Sequence, residues 1–366
     1  MKLFKILIVI LVAKSILGCT SSNDPQPQPS EFVIRAPFAW QTSTPAAQGL
    51  DSVLVDSAVS TFETDANFFS LVVIRNGYLV KEYYRPNLTQ YNDYDVRSAT
   101  KSFVSILVGI AIQNGLIASV HEPVLKFFPE FNTSGIDARK LKLTIEHLLT
   151  MRSGLDIGEG GTNSNLYTQT SNWINVTLSL PMVANPGDQF RYSSMNTHLL
   201  SAILTRATGL NTYQFAEANL LAPLAISLRY WDRDPQGIFF GGTGAIFCTR
   251  DMARLGYLML QQGSVGGQQI LSSSWIQQSR EPHNLQNTTW SSFGAVNYGY
   301  QWWMNNGSTD SLFFAAGYGG QFIFVAPNQN MVIAATAEAN VTPDVADYQE
   351  QFTIEVVATK LLRAVK

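Results

Sequence analysis

Cysteine is nearly absent: Cys19 and Cys248 are the only two in 366 residues. That supply cannot build a disulfide scaffold or a cysteine-based zinc site. Histidine is equally sparse, and the four present, His121, His147, His198 and His283, are scattered without metal-ligand spacing, which predicts structural positions for each. Only 14% of residues are charged and the net charge is −3, so there is no basic face for phosphates and nucleic-acid binding is excluded. No G-x-S-x-G turn that would expose a nucleophilic serine is present, nor any phosphate loop or dinucleotide fingerprint. We find no internal repeat. What remains is a globular composition, 46% hydrophobic and rich in aromatics, long enough for one large domain or two intimate ones.

The first residues read as an address. Lys2 and Lys5 precede an apolar stretch from Ile6 to Ala13 that is too short to span a bilayer, which favours an export signal over a membrane helix. Ile16-Leu17-Gly18-Cys19 resembles the bacterial lipoprotein processing site. The resemblance implies removal of residues 1–18 and lipid on the Cys19 sulfur, and Thr20 after it is compatible with sorting to an outer membrane. A plain secretory signal is the alternative. Residues 20–30, TSSNDPQPQPS, are polar and proline-rich, and the segment 19–45 is expected to be a flexible tether holding the body off the membrane. Cys248 is then an inert core thiol.

Residues 46–366 are expected to form the folded body. Leu50, Leu54, Ala58 and Phe62 recur at helical spacing, and two β-rich runs, Leu71 to Arg75 and Tyr78 to Tyr84, flank Asn76-Gly77, a strong hairpin signal. Helical stretches follow at Thr144 to Met151, Thr197 to Thr208, Tyr213 to Leu221 and Thr249 to Gln262. Strand character returns at Tyr300 to Met304, Leu312 to Ala316, Gln321 to Ala326 and Met331 to Ala337, with turns at Asn306-Gly307 and at 327–330, before a final helix from Val345 to Leu362. Short turns require antiparallel pairing, and an isolated hairpin is not stable. The economical fold is therefore α+β. One antiparallel sheet is flanked by the first and last helices, and an all-helical lobe is inserted into it. The sheet lobe takes about 46–97 and 236–366, the helical lobe about 98–235, with a site at their seam.

The central stretch is Ser98 to Gly115, SATKSFVSILVGIAIQNG. From Ile106 to Ile112 it is apolar on every face apart from Gly109, so as a helix it must be buried all round. Ser98 stands at its head, and Lys101 three positions on shares its side of the helix. A hydroxyl beside a partly buried amine, at the positive end of a helix dipole, is an arrangement for generating an alkoxide. An ordinary capped core helix with an exposed lysine would show the same residues.

Two further stretches decide between these readings. In Pro186 to Ser194, PGDQFRYSS, a turn delivers Tyr192 with Ser194 two residues on; in Ala315 to Gln321, AAGYGGQ, a strand ends in glycines that allow close approach. The order S-x-x-K, then Y-x-S, then a strand with a terminal glycine resembles the penicillin-recognising serine hydrolases. The nearest are the class C β-lactamase and D-alanyl-D-alanine peptidase superfamily, in particular its carboxylesterases and 6-aminohexanoate-dimer hydrolases. Residues 144–155, TIEHLLTMRSGL, and 241–256, GGTGAIFCTRDMARLG, add to the likeness, which runs from about Leu50 to the C-terminus.

The resemblance implies a β-lactamase/transpeptidase-like fold with no metal or organic cofactor. It makes Ser98 the nucleophile, Lys101 its proton partner and Tyr192 a second general base with its pKa lowered by the lysine charge. Ser194 would help hold the substrate, and an oxyanion hole would form from the N–H groups of Ser98 and Tyr318 beside Gly317. Whether Lys101 or Tyr192 acts first is left open. Where many relatives carry a cation at the start of the third motif, this chain has Ala315. That favours a short ester or small linear amide over a penicillin or a peptidoglycan stem; Tyr300, Trp302 and Trp303 are candidates to line a neutral, aromatic pocket. A D-amino-acid peptidase, a weak β-lactamase and a non-catalytic surface module are the competing readings.

Overall fold

A computed structural model describes residues 31–366 apart from 160–162, 164 and 306–310; the signal segment, Cys19 and the Asn306-Gly307 turn lie outside the described residues. The hairpin forms as its turn chemistry dictates. Strand β1, Phe68–Arg75, returns as β2, Tyr78–Tyr84, through Asn76 and Gly77, both with positive φ (53° and 83°), the geometry that asparagine and glycine adopt at low cost.

Six later strands join them: β3 Asn284–Thr289, β4 Ala295–Tyr298, β5 Trp303–Asn305, β6 Leu312–Gly317, β7 Gln321–Ala326 and β8 Met331–Ala337. The sheet order is β2-β1-β8-β7-β6-β5-β4-β3, and every neighbouring pair is antiparallel. The first strands thus dock beside the last, as expected from the sequence. Neither β3 nor β4 was anticipated, because a polar run such as NLQNTT has no alternation to read. Strand β5 also starts later than expected. Gln301 adopts a left-handed φ of 65° and its buried amide donates to the carbonyls of Leu148 and Leu149, which takes Tyr300 and Gln301 out of the ladder.

Among the described residues the helices are α1 Ser52–Phe62, α2 Ala99–Gln113, α3 Ile145–Leu149, α4 Trp173–Ser179, α5 Ser194–Thr208, α6 Thr212–Ala216, α7 Thr249–Leu260, α8 Ser273–Ser279 and α9 Pro343–Val356. The sheet is apolar on both faces. Leu71 and Val73 turn to a core shared with α1 and α9, and Val72 and Ile74 to a core shared with α2, α5 and α7.

Helix α2 is buried from Ala99 to Ala111 and packs against both β6 and α5, so the rod belongs to sheet and helical region alike. Gly109 has a packing reason. A Cβ there would come within 2.6 Å of the Trp275 ring, which lies across the rod. The helix ends at Gly115, whose φ of 70° lets the Leu116 N–H turn back to the Ala111 carbonyl.

The expected tether needs one correction. Residues 32–45 pack on the body: Phe32 meets Tyr213 edge-on, Arg35 pairs with Glu217, and Trp40 is buried beneath the Arg254 guanidinium. The aromatic side chains of this segment supply these contacts.

Candidate active site

Ser98 occupies the N-cap position of α2, yet its side chain makes no capping hydrogen bond. Its hydroxyl is thereby left for other partners. The residue before it, Arg97, has a φ of 49°, a strained conformation for a residue with a Cβ. It is held there by the Asp95 carboxylate, which accepts from its N–H, and by guanidinium bonds to the Ala339 carbonyl and Asn340. The chain therefore enters the helix through a fixed, tight elbow.

Lys101 is 1% exposed, which rules out the solvent-facing lysine of an ordinary capped helix. Its Nζ donates to Ser98 Oγ at 2.8 Å, to Ser194 Oγ at 3.0 Å and to the Gly242 carbonyl at 2.8 Å. Three donors meet three acceptors. Burial pulls the ammonium down from 10.5 to about 8, and the Glu159 carboxylate, 3.8 Å away, opposes this. The close approach of Gly242 depends on its lacking a side chain, since a Cβ would lie 2.4 Å from Ser194 Cβ.

Tyr192 reaches the same point from the turn before α5. It lines the same pocket as Ser98, and its ring lies 4.7 Å from Lys101 Nζ, packed among Phe190, Tyr298 and Trp303. The structure corrects the expected electrostatics. The Lys101 charge does not bring the phenol down: burial, together with Glu159, pushes it well above its ordinary range. Tyr192 is therefore a proton donor at neutral pH, and Lys101 is the group whose proton is readily lost.

Ser194 also differs from expectation. Its Oγ accepts from Lys101 and donates to Glu159 Oε1 at 2.7 Å, while its N–H donates to the same oxygen at 3.0 Å. The hydroxyl is committed to positioning the amine and does not line the pocket. Glu159 went unnoticed in the sequence. It sits in an irregular glycine-rich loop, DIGEGG, where no periodicity marks it, and it caps the N-terminus of α5, where a negative charge is favoured.

The third side is the turn after β6. Gly317 pairs with Gln321 across it, and the Gly320 N–H donates to the Gly317 carbonyl. A Cβ on Gly317 would stand 2.2 Å from the Val96 carbonyl, so only glycine lets the strand end lie against the Ser98 elbow. Tyr318 follows at the turn's corner. Its hydroxyl donates to the Val341 carbonyl, and the next N–H, from Gly319, donates to Glu350 at 2.9 Å.

These elements enclose a pocket of about 350 Å³ lined by Ser98, Glu159, Phe190, Tyr192, Trp290, Trp303, Ala316, Gly317, Tyr318 and Glu350. Of the three aromatics proposed from sequence only Trp303 lines it; Trp302 is buried against Phe313, and the Tyr300 hydroxyl donates to Glu146. Phe190, Trp290 and Glu350 carried no sequence signal. Ala315 is fully buried, so the strand presents no cation at that position. The histidines lie elsewhere: His198 pairs with Asp234, His147 caps α3, His283 stacks on Tyr300, and His121 approaches Glu146.

Comparison with known proteins identifies relatives of the chain and of its fold. The family described as Beta-lactamase matches residues 69–358. A 6-aminohexanoate-dimer hydrolase from Paenarthrobacter ureafaciens is 25% identical over 285 residues, covering 72% of this chain and 71% of its own. Among solved structures, a putative 6-aminohexanoate-dimer hydrolase from Bacillus anthracis superposes with a TM-score of 0.70 at 18% identity, covering 92% of both chains. EstCE1, described as a hydrolase with promiscuous acyltransferase activity, gives 0.67 at 16% identity, covering 86% of this chain and all of its own (100%).

Proposed function

The chain belongs to the Beta-lactamase family and is a serine hydrolase of it, and on that premise we propose that it cleaves a short ester or small linear amide through an acyl-enzyme on Ser98. The observation that carries this reading is Ser98 Oγ held 2.8 Å from the buried Lys101 amine in an aromatic pocket that it lines together with Tyr192. Lys101 in its neutral form takes the Ser98 proton as Oγ bonds to the substrate carbonyl carbon. The N–H groups of Ser98 and Tyr318 receive the developing oxyanion. As the carbon–heteroatom bond breaks, the leaving group takes the Tyr192 proton, and the Lys101 ammonium restores it. Water then repeats the sequence to release the acid.

The 6-aminohexanoate-dimer hydrolase relative and the hydrolase EstCE1 support a linear amide or an ester as substrate. The described lining residues include no lysine, arginine or histidine that would meet a penicillin carboxylate. A panel of p-nitrophenyl butyrate, a linear amide and nitrocefin, run on the wild type and on Ser98→Ala, tests the reading. Ester or amide turnover that vanishes with Ser98→Ala is expected. Nitrocefin turnover equal to ester turnover would promote a β-lactamase, and activity surviving Ser98→Ala would remove the nucleophile.

We also propose that the protein is exported and anchored through lipid on Cys19, supported by the order Lys2, Lys5, apolar run, Ile16-Leu17-Gly18-Cys19. Radiolabelled palmitate should enter the wild type and not Cys19→Ser, and the variant should leave the membrane fraction. No labelling of the wild type would leave a plain secretory signal, and equal labelling of both would put the lipid on another residue.

A further inference from the structure

We infer that the pocket recognises a substrate carrying a cationic ammonium group, with the Glu350 carboxylate as its partner and Trp290 and Trp303 as its aromatic walls. This rests on the reading of Ser98 as the acylated residue, since it concerns what fills the space above that hydroxyl.

The charges of the pocket are one-sided. Its described lining contains two carboxylates, Glu159 and Glu350, and no cationic side chain. Lys101 lies beneath, with its three donors spent on Ser98, Ser194 and Gly242. Glu159 is engaged by the Ser194 N–H and hydroxyl and lies 3.8 Å from Lys101. Glu350 is different. Among the described residues it receives one hydrogen bond, from the Gly319 N–H, and no cation pairs with it. Asp347, another acid on its own helix, adds to the effect of burial and disfavours the Glu350 charge further. Glu350 lines the same pocket as Ser98 and Tyr192, which places its carboxylate in the space open to a substrate at Ser98.

A partly buried carboxylate without a counter-ion is costly, and burial pushes this one up to about 7. An ammonium entering the pocket would supply the missing partner. The walls suit the same ion. Trp290 and Trp303 stand 5.0 Å apart with Tyr192 beside Trp303, and tryptophan faces attract cations more strongly than those of other aromatic residues. An anionic substrate would meet two carboxylates instead, the reverse of what a penicillin carboxylate requires.

The test uses the full-length protein and three probes of similar size: n-butylammonium, 1-butanol and butyrate. Binding is measured by calorimetry, and competition against p-nitrophenyl butyrate hydrolysis places the probe in the pocket. The expected result is that n-butylammonium binds about tenfold or more tighter than 1-butanol and competes with the ester, with butyrate weakest. Glu350→Gln, which keeps an acceptor for the Gly319 N–H, should remove most of that preference. Glu350→Asp, which keeps the charge, should retain part of it and serves if the glutamine variant does not fold. Equal binding of ammonium and alcohol, no measurable ammonium binding, or a preference that persists in Glu350→Gln overturns the inference. Failure of the Ser98 assignment is read separately, from ester hydrolysis that survives in Ser98→Ala.

Discussion

Replacing Lys101 by methionine is expected to lower kcat/KM for p-nitrophenyl butyrate by about 10²- to 10⁴-fold, the usual contribution of a positioned acid–base group. Methionine fills a similar volume in the buried channel, so the loss is assigned to the amine and not to a cavity. The wild-type pH profile carries the second half of the prediction. Burial favours the neutral amine and lowers Lys101 from 10.5 to about 8. The active form is the neutral one, so kcat/KM should climb about tenfold per pH unit below that value and level off above it. Lys101→Met should lose that limb. A limb unchanged in the variant would assign the titration to another group. The same shift makes stability depend on pH. Between about 8 and 10.5 the unfolded chain binds a proton at this site that the folded chain does not, so stability rises with pH through that window.

Gly317→Ala is the second large effect. The added Cβ would sit 2.2 Å from the Val96 carbonyl and 3.1 Å from Arg97 Cβ, both backbone-anchored neighbours of Ser98. Neither can yield as a flexible side chain would, so the turn carrying Tyr318 must move away from the elbow. Loss of one oxyanion donor typically costs about 2.7–4 kcal/mol, a decrease of about 10²- to 10³-fold in kcat. By contrast Tyr318→Phe keeps the backbone N–H and removes only the bond to the Val341 carbonyl, so its effect should be much smaller. Steady-state kinetics on the two variants separate the explanations: equal losses would mean that the Tyr318 side chain, not its N–H, does the work.

The parts of the site that were legible in the sequence are those encoded at short range. Ser98 and Lys101 share one turn of a helix whose all-round apolarity announces its burial, and Asn76-Gly77 specifies its hairpin almost alone. Tyr192 and Gly317 were legible as motifs, but their surroundings were not. Which way the Tyr192 phenol titrates depends on its burial and on Glu159, and no spacing encodes that. Glu159 meets Ser194 from 35 positions away in the chain, and Glu350 lies on the last helix, where an acid reads as ordinary solvent-facing polarity. Trp290 joins the pocket through packing against Trp303 at a register that the polar strand β3 gave no means of anticipating. The segment 32–45 misled for a related reason: the tether was extended to it from the polar, proline-rich residues 20–30, while its own aromatics anchor it to the body.

The central claim is that the Ser98 hydroxyl, and no other, becomes acylated. Incubating the folded protein with a fluorophosphonate and mapping the adduct by peptide mass spectrometry tests it most directly. The account predicts one adduct per chain, on the peptide containing Ser98, forming faster as the pH rises toward 8 and absent from Ser98→Ala. An adduct on any other residue, or undiminished labelling of Ser98→Ala, would contradict it.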